Sequence, residues 1–347
     1  MKKYLALSIA TLSLAALCRA DDSAFQTFAH QYIKQYLAWR PARAVDLGLH
    51  EYDGKITDFS KASVAAEQSR LKKSLSELEK MDPATLSPED AYDYAILKAA
   101  IQKELFAFDD QSIYTRNPMT YAGAVNVNSY IQRDYAPLEQ RVRAIISAEN
   151  SASKMLENAR ANLDPVLPRP FVATAITIAS GAADFLGKDL VAAVKDVGNA
   201  KLKKEFETSN QKAIAALRSF AMWLTTERLP KSTDQFALGP EKYQRMIANG
   251  ELIKLTPDEV LAIGMRELKN EQARFAAAAK EIDPAKTPQA VFKQIKQEHP
   301  TPDGLLPEAR KHLEAIYQFL SDHKIVTLPS DVRVTVEETP QFRRTES

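Results

Sequence analysis

Five histidines, His30, His50, His299, His312 and His323, are the side chains best suited to hold a metal or move a proton near neutral pH. Their spacing decides whether they can. Glu308 and His312 stand one helical turn apart, and His323 follows eleven residues later on nearly the same helical face. At about 1.5 Å per residue the two histidines are roughly 16 Å apart, too far to share one ion, so Glu308–His312 reads as a surface pair. His50-Glu51 begins like a zinc-binding helix, but Gly54 occupies the place of the second histidine. Gly48 and Gly54-Lys55 resemble a phosphate loop with one residue too many, and Ile56 stands where a magnesium-binding hydroxyl belongs. Asp53 and Asp58 lack the ligand ladder of a calcium loop. HExxH, GxSxG and GxGxxG are all absent, and no carboxylate pair is singled out for acid–base work.

A second candidate is a stretch rather than a motif. Residues Asp110–Tyr135 are rich in Tyr, Asn and Ser, contain Asn117-Pro118 and Gly123, and show no sustained period. Phenol and amide groups give directional hydrogen bonds, so Asn117, Tyr121, Tyr130 and Arg133 are candidates to line a cleft. The competing reading is a packed loop with half-buried tyrosines.

The elements that must position these residues are helices. Trp39–Ser60 interrupts the helical pattern. Pro41 stops the helix before it, Gly48 closes one turn in the left-handed conformation, and Asp53-Gly54 makes a second reversal. This connector reads as a structural corner. Around it, apolar residues at three- and four-residue steps give helices over Ala24–Trp39 and Ser60–Met81. Ser87-Pro88-Glu89-Asp90 starts a helix to about Asp109 that buries Tyr92, Ile96, Leu105 and Phe108. A long helix runs from Ala136-Pro137 to about Asn162. Phe171–Leu186 is Ala-rich and central, and its Gly181 implies close approach of another helix. Further helices cover Leu202–Leu229, a short piece of Phe236–Gly250, Thr256 to about Glu281, Thr287–His299 and Leu305–His323. Val332, Val334 and Val336 alternate with polar residues, a strand signal. The fold class is all-α, a multi-helix array of long amphipathic helices with one C-terminal β-strand, divided as 1–20, 21–330 and 331–347.

The first twenty residues are a secretory signal peptide. Lys2 and Lys3 precede the apolar run Leu5–Leu17, and Ala20 offers the cleavage site; the alternative is lipid attachment at Cys18. The location is therefore periplasmic or secreted. Cys18 is the single cysteine, so the mature chain has neither a disulfide nor a thiol nucleophile. Three of the 46 basic residues (Lys2, Lys3 and Arg19) lie in the leader, which leaves a net charge of about −2. That balance points to no nucleic-acid partner, and no later segment reads as a membrane span.

Several pieces in order resemble a bacterial family catalogued as domain of unknown function 885. They are Pro41-Ala42 through Gly48–Gly54, Leu86–Asp90 with Asp93-Tyr94, Asn117-Pro118 with Tyr121, and Tyr135–Leu138 with Arg141. Ala159–Leu163, Arg169–Phe171 and Glu338–Pro340 with Phe342-Arg343 complete the set. The resemblance implies an exported helical protein of zinc-metallopeptidase-like type. In that family a strand leads into a C-terminal half with an HExxH helix, where two histidines and an acid hold zinc. No such position exists here, so no ligand or base carries over and no cofactor is expected in this chain. The resemblance thus implies the N-terminal helical half of such a protein, inactive alone, whose partners are a peptide substrate or the missing C-terminal half. The alternative is a non-catalytic periplasmic binding or scaffold protein.

Overall fold

The structure, a computed structural model, describes residues 22–338. The signal peptide with its cleavage site and Cys18, and the closing residues from Thr339 onward, lie outside the described residues. The chain divides into two compact units with the boundary between Leu255 and Thr256.

Among the described residues the first unit is built of helices, with one isolated bridge between Pro168 and Thr233. Helix α1 occupies residues 22–39. It stops at Arg40, whose backbone leaves the helical region as a following proline demands, and α2 (Pro41–Asp46) restarts immediately. Ser60 caps α3 (Lys61–Leu78) and Ser87 caps α4 (Pro88–Asp109), each hydroxyl accepting the backbone N–H three residues on. The aperiodic stretch folds as three short helices, α5 (Ile113–Arg116), α6 (Met119–Ala122) and α7 (Asn128–Gln132). Then come α8 (Leu138–Asn162), α9 (Arg169–Gly187), α10 (Asp189–Ala193), α11 (Ala200–Trp223) and α12 (Pro240–Gly250). A π-helical turn, Leu224–Arg228, continues α11.

The core lies where α8, α9 and α11 meet. Val172, Ala175, Ala179 and Ala183 recur every three or four residues on α9 and are buried. Small side chains there let Leu217 and Phe220 of α11 fill the seam. Residues Arg169–Ala193 are long and apolar enough to cross a membrane by length and composition; in this fold one face of α9 is core. Gly181 corrects an expectation. It is exposed, and a Cβ added there would meet nothing within 4 Å, so no helix approaches it. The buried face of α4 also differs from the expectation. Tyr92 and Ile96 are exposed, while Tyr94, Ile101 and Phe106 are buried. Apolar residues surround α4, so their spacing did not select one face.

In the second unit, α13 (Pro257–Ile282) opens on a capping box. The Thr256 hydroxyl accepts from Glu259 N–H, and the Glu259 carboxylate accepts from Thr256 N–H at 2.7 Å. It packs on α14 (Pro288–Ile295) through the edge-on rings of Phe275 and Phe292. Helix α15 (Leu305–Asp322) follows and buries no residue. The strand expected at Val332–Val336 does not form. No ladder involves residues 331–338 among the described residues, and Val332 and Val334 are 84% and 80% exposed. The segment is tied by side chains instead. The Arg310 guanidinium donates to the Val336 carbonyl at 2.8 Å, and Arg333 lies over the Tyr317 ring. An alternating run without a neighbouring strand has no backbone partners to make it a sheet.

Candidate functional site

The connector and the aperiodic stretch, far apart in sequence, fold against each other. Gly48 and Gly54 both take positive φ, as the turn requires. At Gly54 the backbone also presses on α8: a Cβ there would stand 2.8 Å from the Ser147 Cβ and 3.0 Å from the Ala144 carbonyl oxygen. The Gly54 N–H donates to the Tyr130 hydroxyl at 2.8 Å. The His50 ring stacks on Tyr135 at 3.5 Å, and its Nδ1 lies 3.2 Å from Asp53. The Tyr135 hydroxyl donates to the other Asp53 oxygen at 2.8 Å. Burial, and then that carboxylate, push the Tyr135 phenol far above its usual range. Arg141 ties the corner by donating to the carbonyls of Ala136 and Tyr130 and to Asp134.

The four candidate cleft residues do not share one surface. The Asn117 amide oxygen accepts the Met119 N–H at 3.0 Å, the turn-forming role of an Asn before a short helix. Tyr121 is fully buried; its hydroxyl donates to the Tyr114 carbonyl at 2.5 Å and accepts from Asn162 at 3.2 Å. Burial raises its pKa to about 12. Tyr130 is buried under the connector, and Arg133 is exposed and donates to the Asp46 carbonyl. Of the histidines, His312 pairs with Glu308 at 3.1 Å on an exposed face.

Two charged constellations are not among the candidates from sequence. In the first, Glu67 is 3% exposed, accepts two bonds from Arg70 and one from Arg40 at 2.7 Å, and Arg40 also bonds Glu104. Burial alone would push the Glu67 carboxyl up; the bonds from Arg70 and Arg40 outweigh it and hold it below the usual range. Arg40 further stacks on Tyr36, 4.1 Å from the ring centroid. Beside this network a groove of about 640 Å³ runs between α1, α2 and α4, lined by Tyr32, Tyr36, Arg43, Leu47, Ile96 and Glu104 among others. Its lining is mainly aromatic and aliphatic, with Arg43, Asp93, Lys103 and Glu104 as its charged members.

In the second, Glu149 on α8 is 1% exposed, and burial raises its pKa to about 7. Ser209 donates to it at 2.5 Å and Asn210 at 2.9 Å. Sequence carried a signal for it: Ile145, Ala148, Glu149, Ala152 and Leu156 form one apolar stripe with an acid inside it. Among the described residues no group of three or more His, Cys, Asp or Glu side chains is placed to hold a metal ion.

These features define a helical protein with an apolar groove and buried ion networks. The chain belongs to the family described as "Bacterial protein of unknown function (DUF885)", whose model matches residues 41–347. It is similar in fold to a solved structure described as "a putative lipoprotein of unknown function from Shewanella oneidensis". The TM-score is 0.72 at 20% identity, with 91% of this chain and 61% of that chain covered. The chain thus spans less than two thirds of that structure's length. A comparison with curated proteins finds no match.

Proposed function

We propose that this chain is the non-catalytic helical half of an exported zinc-metallopeptidase-like protein, whose second unit seats a further stretch of polypeptide. The observation that carries the reading is the second unit's surface. On α13, Leu261, Met265 and Leu268 are 62%, 58% and 51% exposed, and on α15 Ile316 and Phe319 are 54% and 53% exposed. Only Ala279 and Val291 are buried in this unit among the described residues. An isolated domain does not normally leave the apolar stripes of two long helices in water. The structural neighbour contains further polypeptide that this chain does not match, which supports an occupant of this kind.

On this reading the helical half shapes and supports a site, and its groove between α1, α2 and α4 contributes binding surface rather than reacting groups. The test is direct. The purified chain incubated with zinc should retain far less than one zinc per chain by elemental analysis and cleave no peptide from a mixed library. Stoichiometric zinc with cleavage by this chain alone would overturn it. The alternative, a self-sufficient binding or scaffold protein, is favoured by the same 640 Å³ groove, which the first unit's own residues line.

A further inference from the structure

A separate cavity of about 310 Å³ lies in the first unit between α11 and α10 with the turn that follows it, and Val142 of α8 and Gly187 of α9 also line it. Its construction follows from helical spacing. Phe206, Asn210 and Ile214 come at successive four-residue steps on α11 and line the cavity; Lys203, Glu207 and Gln211 sit one step round the helix and also line it. Val191 and Val194 form the opposite wall, with Lys195 beside them. The volume falls at the lower end of the range for small-molecule pockets.

The polar groups around this cavity distinguish it from a packing gap. Asn210 is 4% exposed and rigidly held: its amide nitrogen donates to Glu149 at 2.9 Å and to the Leu186 carbonyl at 3.0 Å.

The charges at the mouth are unspent. Neither the Lys195 nor the Lys203 ammonium forms an ion pair among the described residues, although neighbouring Lys201 pairs with Glu205. Glu207 is the one acid lining the cavity, against two lysines.

The geometry points to a binding site for a small amphiphilic carboxylate, its aliphatic body among Val191, Val194, Phe206 and Ile214 and its anion at Lys195 and Lys203. A chain of about ten carbons suits the volume, and an apolar body with one anionic end matches the lining. Nothing in this assignment depends on the second unit or on zinc.

The experiment uses decanoate and decanol as probes in titration calorimetry below their aggregation concentrations, with the full chain. Decanoate should bind once per chain and saturably. Val191→Trp fills the cavity from a position 45% exposed, so folding is retained, and it should weaken decanoate at least tenfold. The double variant Lys195→Ala with Lys203→Ala should weaken decanoate about tenfold and leave decanol binding unchanged. Ile33→Trp, in the other groove, should change neither. Absence of saturable binding, undiminished binding by Val191→Trp, or loss caused by Ile33→Trp would each overturn the assignment. Equal loss of decanoate and decanol in the lysine variant would overturn the placement of the anion.

Discussion

The Gly54 N–H and the Tyr130 hydroxyl, 76 residues apart in sequence, meet at 2.8 Å in the interior. That bond joins the connector to the aperiodic stretch, and α8 closes over both. The corner is therefore a packed joint in which position, more than chemistry, determines residue type.

Gly54→Ala forces a side chain into a left-handed backbone and against Ser147 and the Ala144 carbonyl. Backbone strain and overpacking together should cost about 3 kcal/mol. Tyr130→Phe keeps the ring and leaves the Gly54 N–H unpaired, costing about 1–2 kcal/mol. Urea unfolding followed by the fluorescence of Trp39 and Trp223 reports on the first unit alone, since both lie in it.

Glu149 makes stability fall as pH rises. Its folded pKa of about 7 exceeds the ordinary carboxyl value of 4.5, so between these the folded chain holds a proton that the unfolded chain has released. The folded state is favoured below this window and loses about 3 kcal/mol across it. Glu149→Gln should remove that slope and stabilise the chain at pH 8 by about 2–3 kcal/mol. The amide can donate to Ser209, whose own proton then turns to the Phe206 carbonyl, 3.1 Å away. A variant with the wild-type pH slope would contradict the assignment.

Glu67 acts in the opposite sense. Its pKa is depressed in the fold, so its contribution is present above the unfolded value and is lost as pH falls through the folded one. Glu67→Gln leaves Arg70 unpaired in a buried setting and should cost about 3 kcal/mol at pH 6. The loss should shrink in acid, as seen in melting temperatures from pH 6 to pH 3.

Much of this fold was legible in the sequence. Ser87, Thr256 and Thr287, each before a proline, mark helix starts by capping chemistry that acts within four residues, and each caps its helix. Gly48 and Gly54 were legible because a positive φ is a local demand. What was not legible depends on tertiary partners. The valines of 332–336 alternate correctly for a strand, but a strand needs a neighbour. Which face of α4 is buried depends on α1 and α3, and the Arg40–Glu67–Glu104 network joins three helices through charges that sequence reads as surface. Asn117 and Tyr121 were singled out for hydrogen-bonding capacity; the fold directs that capacity to Met119, Tyr114 and Asn162.

The exposed apolar face of the second unit makes its own prediction. Leu261→Lys with Met265→Lys changes residues 62% and 58% exposed and should alter stability by less than about 0.5 kcal/mol. The same double variant should sharply reduce binding of a hydrophobic dye such as bis-ANS. A large loss of stability would mean that these side chains are core and not a docking face.

The central claim is that the second unit seats further polypeptide, and the most direct test is made on the protein in its source cells. An antibody raised against the first unit would be used to recover the native protein from the envelope fraction, and its mass determined with and without denaturant. The account predicts a polypeptide well above the mass of 347 residues, or a stoichiometric complex with a second chain that denaturant separates. A free monomer of this chain's own mass, stable without a partner, would contradict it.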